Sequence, residues 1–338
     1  MQLLSPTIFS LRCYPFLLCA IFALFFLCPS NTQAKNSSAT FSAWRDQVNT
    51  EAVNAGISQQ TIDMALLTIN APNPKVIALD RKQPEFTQTL EAYLRTRINQ
   101  ERIRTGRKMM QKYPTWLGRI EQEYNVQKRF LVALWGIESS YGRHIGTFSV
   151  IHSLVTLAYD GRRSNYFRKE LLDALHLIDD GSIPYKRMQG SWAGAMGQCQ
   201  FMPSSFRLYA VDADSSGSIN IWSSVPDVLG STANYLAKSG WKNDQTWGRE
   251  VNLPQNFDAS QVGLNTRFPL SHWQALGVRK NNGSPLPKRD LEASLIMPDG
   301  IGGSAYLVYD NFRVLMSWNK SELFALAVAK LADQFKYQ

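Results

Sequence analysis

Phe130-Leu-Val-Ala-Leu-Trp-Gly-Ile-Glu-Ser-Ser-Tyr-Gly142 is the stretch from which the fold is read. Its first eight residues are apolar on every face, so the spacing predicts a helix buried all round. Glu138 ends that helix, and Ser139-Ser-Tyr-Gly142 turns the chain away. A carboxyl at the mouth of an apolar helix is poorly solvated, which favours its acid form near neutral pH. A general acid requires that property. The bland alternative is a helix-end Glu bonded to nearby hydroxyls or amides.

Downstream, Gly190-Ser-Trp-Ala-Gly-Ala-Met-Gly-Gln-Cys-Gln-Phe-Met-Pro-Ser-Ser205 concentrates small residues. They let a backbone approach another element or a ligand closely. Ser191 and Gln200 can bond a polar ligand, and Pro203-Ser-Ser205 reads as a turn into a helix. No Lys follows the glycines, which excludes a phosphate loop. Asp212, Asp214, Ser216 and Asn220 then fall at offsets 1, 3, 5 and 9, like the start of an EF-hand loop. Ser216 is weak for its position, Ser223 stands where a Glu is expected, and Asp227 would close a longer loop. From the residues alone, a hydrogen-bonded Asx turn weighs above a calcium site.

Outward from this centre the pattern is helical. Val150–Tyr159, Tyr166–Ile178 and a segment opening near Ser224 read as helices, as does Leu323 to about Phe335 with Ser321 before it. On the N-terminal side, Trp44, Val48, Ala52 and Ala55 keep a period near 3.6, and Ser58 offers a new N-cap before Gln59. Residues 87–112 read as one or two exposed basic helices, ended by Pro114. From Lys242 to Gly303 helical period is lost and a partly β insertion is expected. Ala305–Val308 and Phe312–Met316 read as short strands. The fold class is therefore mainly α (α+β).

The chain has 338 residues, 36 Lys or Arg against 27 Asp or Glu, and a net charge of +9. This excludes a strongly acidic protein and favours polyanionic partners. Residues 1–34 have the layout of a signal peptide: Arg12, an apolar run Cys13–Cys28, and Ala34 at the expected cut. The run is short for a membrane anchor. Cys19 and Cys28 follow Leu, which disfavours a lipoprotein. Export leaves Cys199 alone in the mature chain, so no internal disulfide is expected, and the four histidines show no zinc spacing. The expected organisation is 1–34 signal peptide, 35–125 helical part, 126–241 core, and 242–338 β-containing insertion with a last helix.

Glu138-Ser-Ser-Tyr-Gly142, Arg162-Arg163, Gly190–Gly197, Gln200–Ser205, Ala210-Val-Asp212 and Ala233-Asn-Tyr-Leu236 with Gly240-Trp241 occur in this order. In that series the chain resembles the lytic murein transglycosylase B family, over about residues 40–336. The resemblance implies a lysozyme-like helical core with additional helical elements. It implies cleavage of the MurNAc-β-1,4-GlcNAc bond of peptidoglycan, leaving a 1,6-anhydro-MurNAc end, with Glu138 as sole general acid/base. Ser191, Gln200, Phe201 and Tyr235 match glycan-lining positions, Tyr93 more loosely, and Arg162 and Arg163 match a basic pair near the cleft. An ordinary glycosidase needs two carboxylates. Asp160 and Glu170 read as solvated helix residues, so a one-carboxyl mechanism fits. No cofactor is required, and a structural calcium would take Asp212, Asp214, Ser216, Asn220 and Asp227. Peptidoglycan strands are the expected partner, with no nucleic acid, for a periplasmic monomer. The alternatives are a hydrolytic muramidase and a non-catalytic murein-binding scaffold.

Overall fold

The computed structural model describes residues 37–82, 88–161 and 163–335. The expected signal peptide, residues 1–34, and Arg162 lie outside them. The N-terminal helices are α1 (Ser37–Asn54), α2 (Gln59–Leu66), α3 (Pro74–Arg81), α4 (Leu90–Arg97), α5 (Gln100–Lys112) and α6 (Pro114–Tyr124). Each break has a local cause. The side chains of Ser58, Asn73, Thr89 and Asn99 accept N–H bonds at the starts of α2, α3, α4 and α5. The basic region is thus two helices, parted at Ile98-Asn99. Pro114 ends one helix by opening the next, since its fixed φ and missing N–H suit a first helical position.

The centre is α7 (Lys128–Ser139), in which every residue from Phe130 to Ile137 is buried. It packs against α5 and α6, against α11 (Val225–Lys238), and against α14 (Glu322–Asp333). Beside it lie α8 (Val150–Tyr159), α9 (Ser164–Asp179) and α10 (Pro203–Tyr209). A short antiparallel pairing brings β1 (Phe148–Ser149) beside β2 (Gln189–Gly190), on either side of α8 and α9 in the chain.

The region expected to be partly β holds β3 (Gly248–Asn252), β4 (Phe268–Pro269), α12 (Leu270–Ala275), β5 (Arg279–Lys280), β6 (Glu292–Ile296) and β7 (Ala305–Val308). The strands form one antiparallel sheet in the order β4-β6-β7-β3-β5, with its own apolar cluster around Trp273. Phe312–Met316 is not a strand. It lies in α13 (Asp310–Trp318), whose buried Asn311, Phe312, Val314 and Leu315 follow helical spacing. The apparent alternation of Phe312, Val314 and Met316 was a period-2 pattern inside a period-3.6 face. No helix among the described residues is long and apolar enough to cross a membrane.

Asn311 ties the sheet region to the helical core. Its Oδ1 accepts from Lys242 N–H (2.7 Å), and its Nδ2 donates to the carbonyls of Lys242 (2.7 Å) and Gln245 (3.0 Å). The residue is fully buried. Asn311→Ala leaves three backbone groups unsatisfied and should cost about 2–4 kcal/mol, measured by urea unfolding. A loss below about 0.5 kcal/mol would show that water replaces the side chain.

Candidate active site

Glu138 occupies the last turn of α7 and is half-buried. Its Oε1 accepts a 2.6 Å hydrogen bond from Trp318 Nε1. Trp318 ends α13, so the carboxyl is fixed by an indole 180 residues away. The chain then turns through two left-handed residues, Ser140 and Tyr141, and Gly142 (φ +83°). Gly142 N–H donates to Ser139 Oγ at 3.0 Å. Only glycine fits there, because a Cβ would lie 2.3 Å from Gln198 Oε1. Gln198 is the buried pin of the turn. It accepts from Trp135 Nε1 (2.8 Å) and donates to the carbonyl of Trp222 (2.9 Å).

Trp318 also organises an aromatic cluster. Its ring centroid lies 5.3 Å from that of Phe201 and 4.7 Å from that of Tyr235, and Tyr235 lies 4.5 Å from Tyr209. Tyr235 OH donates to the carbonyl of Ser317 at 2.7 Å. Burial, reinforced by Tyr209, pushes that phenol up to about 12. Glu138, Phe201 and Tyr235 therefore belong to one site, joined through Trp318. Phe201 is 2% exposed and acts as a support of the cluster in this form.

The small-residue segment packs as its composition requires. Ser191 N–H donates to the carbonyl of Ala195 (2.8 Å), and Ala195 N–H returns to Ser191 Oγ (3.0 Å). A Cβ on Gly190 would meet the Ala195 carbonyl oxygen at 2.0 Å. Gln200, at φ +52°, donates from Nε2 to the carbonyls of Gly197 (2.7 Å) and Ile145 (3.2 Å). Cys199 is buried, and burial, with a smaller contribution from the Glu138 charge, raises its thiol far above the ordinary range. The thiol is a core group.

Tyr93 is 2% exposed, with the Arg97 guanidinium 5.1 Å from its ring centroid. Arg163 bonds the buried Asp80 at 3.0 Å and stacks on Phe167. Glu170 corrects an expectation. It is 4% exposed, not solvated, because Ser204 N–H (3.0 Å) and Ser204 Oγ (2.8 Å) both donate to it. Burial still raises its carboxyl above the usual glutamate range. It tethers the start of α10 to α9. Asp160 caps α8 and pairs with Arg81 at 3.4 Å.

The acidic loop gathers Asp212, Asp214 and Asp227, with one oxygen of each within 4.8 Å of the others. Asp227 is fully buried, and burial first, then the Asp214 charge, raises its carboxyl. The Ser224 hydroxyl holds Asp214 below its ordinary value. Ser216 N–H donates to Asp212 (3.0 Å) and Asp214 (3.1 Å), and Asn220 Oδ1 accepts from Trp222 and Ser223. Asx turns and a carboxylate cluster thus coexist. Two loop carboxylates and one from the first turn of α11 crowd together as hard oxygen donors, which fits a hard divalent cation.

Sequence reasoning missed Trp318 and Gln198. Gln198 sat within the quoted segment but looked like any loop amide. Trp318 carried no local signal.

Residues 40–333 match the Transglycosylase SLT domain family, SLT_2. Membrane-bound lytic murein transglycosylase B of Escherichia coli (strain K12) is 33% identical over 251 residues, 72% of this chain and 67% of that protein. SltB3 from Pseudomonas aeruginosa, solved with NAG-anhNAM-pentapeptide and with NAG-NAM-pentapeptide, aligns with a TM-score of 0.83 at 45% identity. That alignment covers 88% of this chain and 80% of SltB3. Escherichia coli Slt35, solved in complex with calcium, aligns with a TM-score of 0.73 at 29% identity over 86% of this chain and 91% of that one.

Proposed function

The chain belongs to the SLT-domain transglycosylases, and from that premise we propose how its own residues cut murein. It is a lytic transglycosylase, and it cleaves the MurNAc-β-1,4-GlcNAc bond of peptidoglycan strands to leave a 1,6-anhydro-MurNAc end. Glu138 serves as both acid and base. Its carboxyl proton passes to the glycosidic oxygen as the C1–O4 bond breaks. The muramyl N-acetyl carbonyl stabilises the positive charge developing at C1. Glu138, now ionised, takes the proton of the C6 hydroxyl as O6 closes on C1, so the proton count balances without water.

The observation that carries this reading is the Glu138–Trp318 bond at 2.6 Å. It fixes the carboxyl, through Oε1, beside the aromatic cluster. A charge-assisted donor steadies the carboxylate formed after the first transfer. Glu170 and Asp160 are committed to Ser204 and Arg81, which agrees with a one-carboxyl mechanism. Around Glu138 we assign glycan contacts to Ser191, Gln200, Phe201 and Tyr235. The amide Nε2 of Gln200 donates to backbone carbonyls of Gly197 and Ile145, so a sugar donor would meet its Oε1. Phe201 and Tyr93 contribute by packing until a ligand opens the cleft. Arg163, with Arg162, meets muramyl or stem-peptide carboxylates. Residues 126–241 form the catalytic core, flanked by 35–125 and completed by 242–338. Residues 1–34 serve as the signal for periplasmic export. A structural Ca2+ would be held by Asp212, Asp214 and Asp227, and would supply charge neutralisation where the loop meets α11.

The test is digestion of purified murein by the wild type and by Glu138→Gln. The wild type should release muropeptides lighter by one water than hydrolysis products, as read by mass spectrometry. Glu138→Gln should release none yet still sediment with murein. Reducing-end products would mean a hydrolytic muramidase, and full activity of the variant would put the acid elsewhere.

Trp318→Phe keeps the ring and removes the donor. Turnover should fall about tenfold, on the order of 1.4 kcal/mol, with KM little changed. Unchanged turnover would reduce the indole bond to a packing detail.

Calcium should raise the melting temperature, and a chelator should reverse the gain. Asp214→Asn should abolish the response. Identical melts with calcium and chelator would remove the metal from this loop.

A further inference from the structure

Residues 95–119 hold eight Lys or Arg against one acid, Glu101, and so carry seven of the chain's nine net positive charges. Helix α5 presents the densest part. Ile103, Gly106 and Met110 face inward, while Arg104, Arg107, Lys108 and Lys112 are exposed. Arg104, Lys108 and Lys112 are spaced i, i+4, i+8, a ridge of about 12 Å along one face. Like charges at that spacing repel and destabilise a helix.

Elsewhere among the described residues most exposed arginines are ion-paired, although exposed lysines such as Lys75 and Lys288 are not. Arg81, Arg143, Arg163, Arg207, Arg267 and Arg289 all meet carboxylates. Among the described residues none of Arg95, Arg104, Arg107, Lys108, Lys112 and Arg119 has an ion-pair partner. The only acid on α5, Glu101, is taken by Arg143 at 2.8 Å. The repulsion is left uncompensated on a rigid element.

That element is bolted to the catalytic turn. Arg102 Nη2 donates to Ser140 Oγ at 3.1 Å, and Tyr141 OH donates to the carbonyl of Arg102 at 2.8 Å. Gly106 lets α5 lie against the Tyr141 ring, since a Cβ there would fall 2.5 Å from its hydroxyl. A polymer held on α5 is therefore held at a fixed offset from Glu138.

We propose that the Arg104–Lys108–Lys112 ridge of α5 is an accessory docking surface for murein, engaging free stem-peptide carboxylates of strands outside the cleft. The proposal rests on the murein-cutting reading and names where that polymer is held. Charge complementarity selects the occupant: the polymer carries repeated carboxylates, and the ridge offers repeated unpaired cations. An anionic bilayer fits less well. The exposed large apolar side chains among the described residues include none between Leu79 and Tyr166, so α5 has no group to insert into lipid.

The experiment compares the Glu138→Gln protein with the same protein carrying Arg104→Gln, Lys108→Gln and Lys112→Gln. Both are sedimented with purified sacculi over a salt series, with melting temperature as the folding check. The triple substitution should weaken low-salt binding about tenfold and flatten its salt dependence. Sacculi with amidated carboxyls should bind the parent as weakly as untreated sacculi bind the variant. Restoring charge with Arg104→Lys, Lys108→Arg and Lys112→Arg should recover binding, which a merely structural role for the original side chains would not. Equal binding by parent and triple variant would overturn the ridge. So would a defect confined to vesicles of anionic phospholipid, which would make α5 a membrane contact. Wild-type digestion of a short peptide-free glycan tests Glu138 alone. If that digestion fails while the binding difference stands, the functional reading falls and the docking surface remains.

Discussion

A carboxyl group placed at the end of an apolar helix needs a polar partner from outside that helix, and the structure is arranged around meeting this need. Phe130 to Ile137 bury every face of α7, so four helices must cover it. Burial of this kind contributes on the order of 1.5–3 kcal/mol for each large apolar side chain, which fixes α7 firmly enough to act as a mount. Glu138 then projects at one end. Trp318 supplies a bond to it around which the site is built, because the same ring also contacts Phe201 and Tyr235. The acid and the aromatic cluster thus share a single fixed point.

The glycine-rich loop and the basic helix brace the same turn from other sides. Gln198 reaches it through Gly142, and Arg102 reaches it through Ser140. Gln198 is itself held by the Trp135 indole and the Trp222 carbonyl, and Arg102 bonds the Ser140 hydroxyl next but one to Glu138. Orientation of a reacting group to within a fraction of an ångström depends on such support.

Much of this was legible in the sequence where the cause is local. The apolar run of α7, the caps at Ser58 and Ser321, and the turn into α10 at Pro203 are set by neighbouring residues. Asp227 was read as closing a longer acidic loop, and it does approach Asp212 and Asp214. What could not be read depends on distant partners. Trp318 and Asn311 take their roles from residues 180 and 69 positions away. Glu170 looked solvated because its helix is amphipathic, but Ser204 covers it from another element. Phe312–Met316 failed for a different reason: five residues are too few to separate a period of 2 from one of 3.6.

The span of the Glu138–Trp318 bond has a consequence for the order in which the protein comes into being. Synthesis delivers Glu138 long before Trp318, and α14, which covers α7, follows later still. A growing chain therefore holds an acid without its partner and an apolar helix without its lid. The cutting machinery is assembled last, by the final helices, so a ribosome-bound or truncated chain is a murein transglycosylase in sequence only.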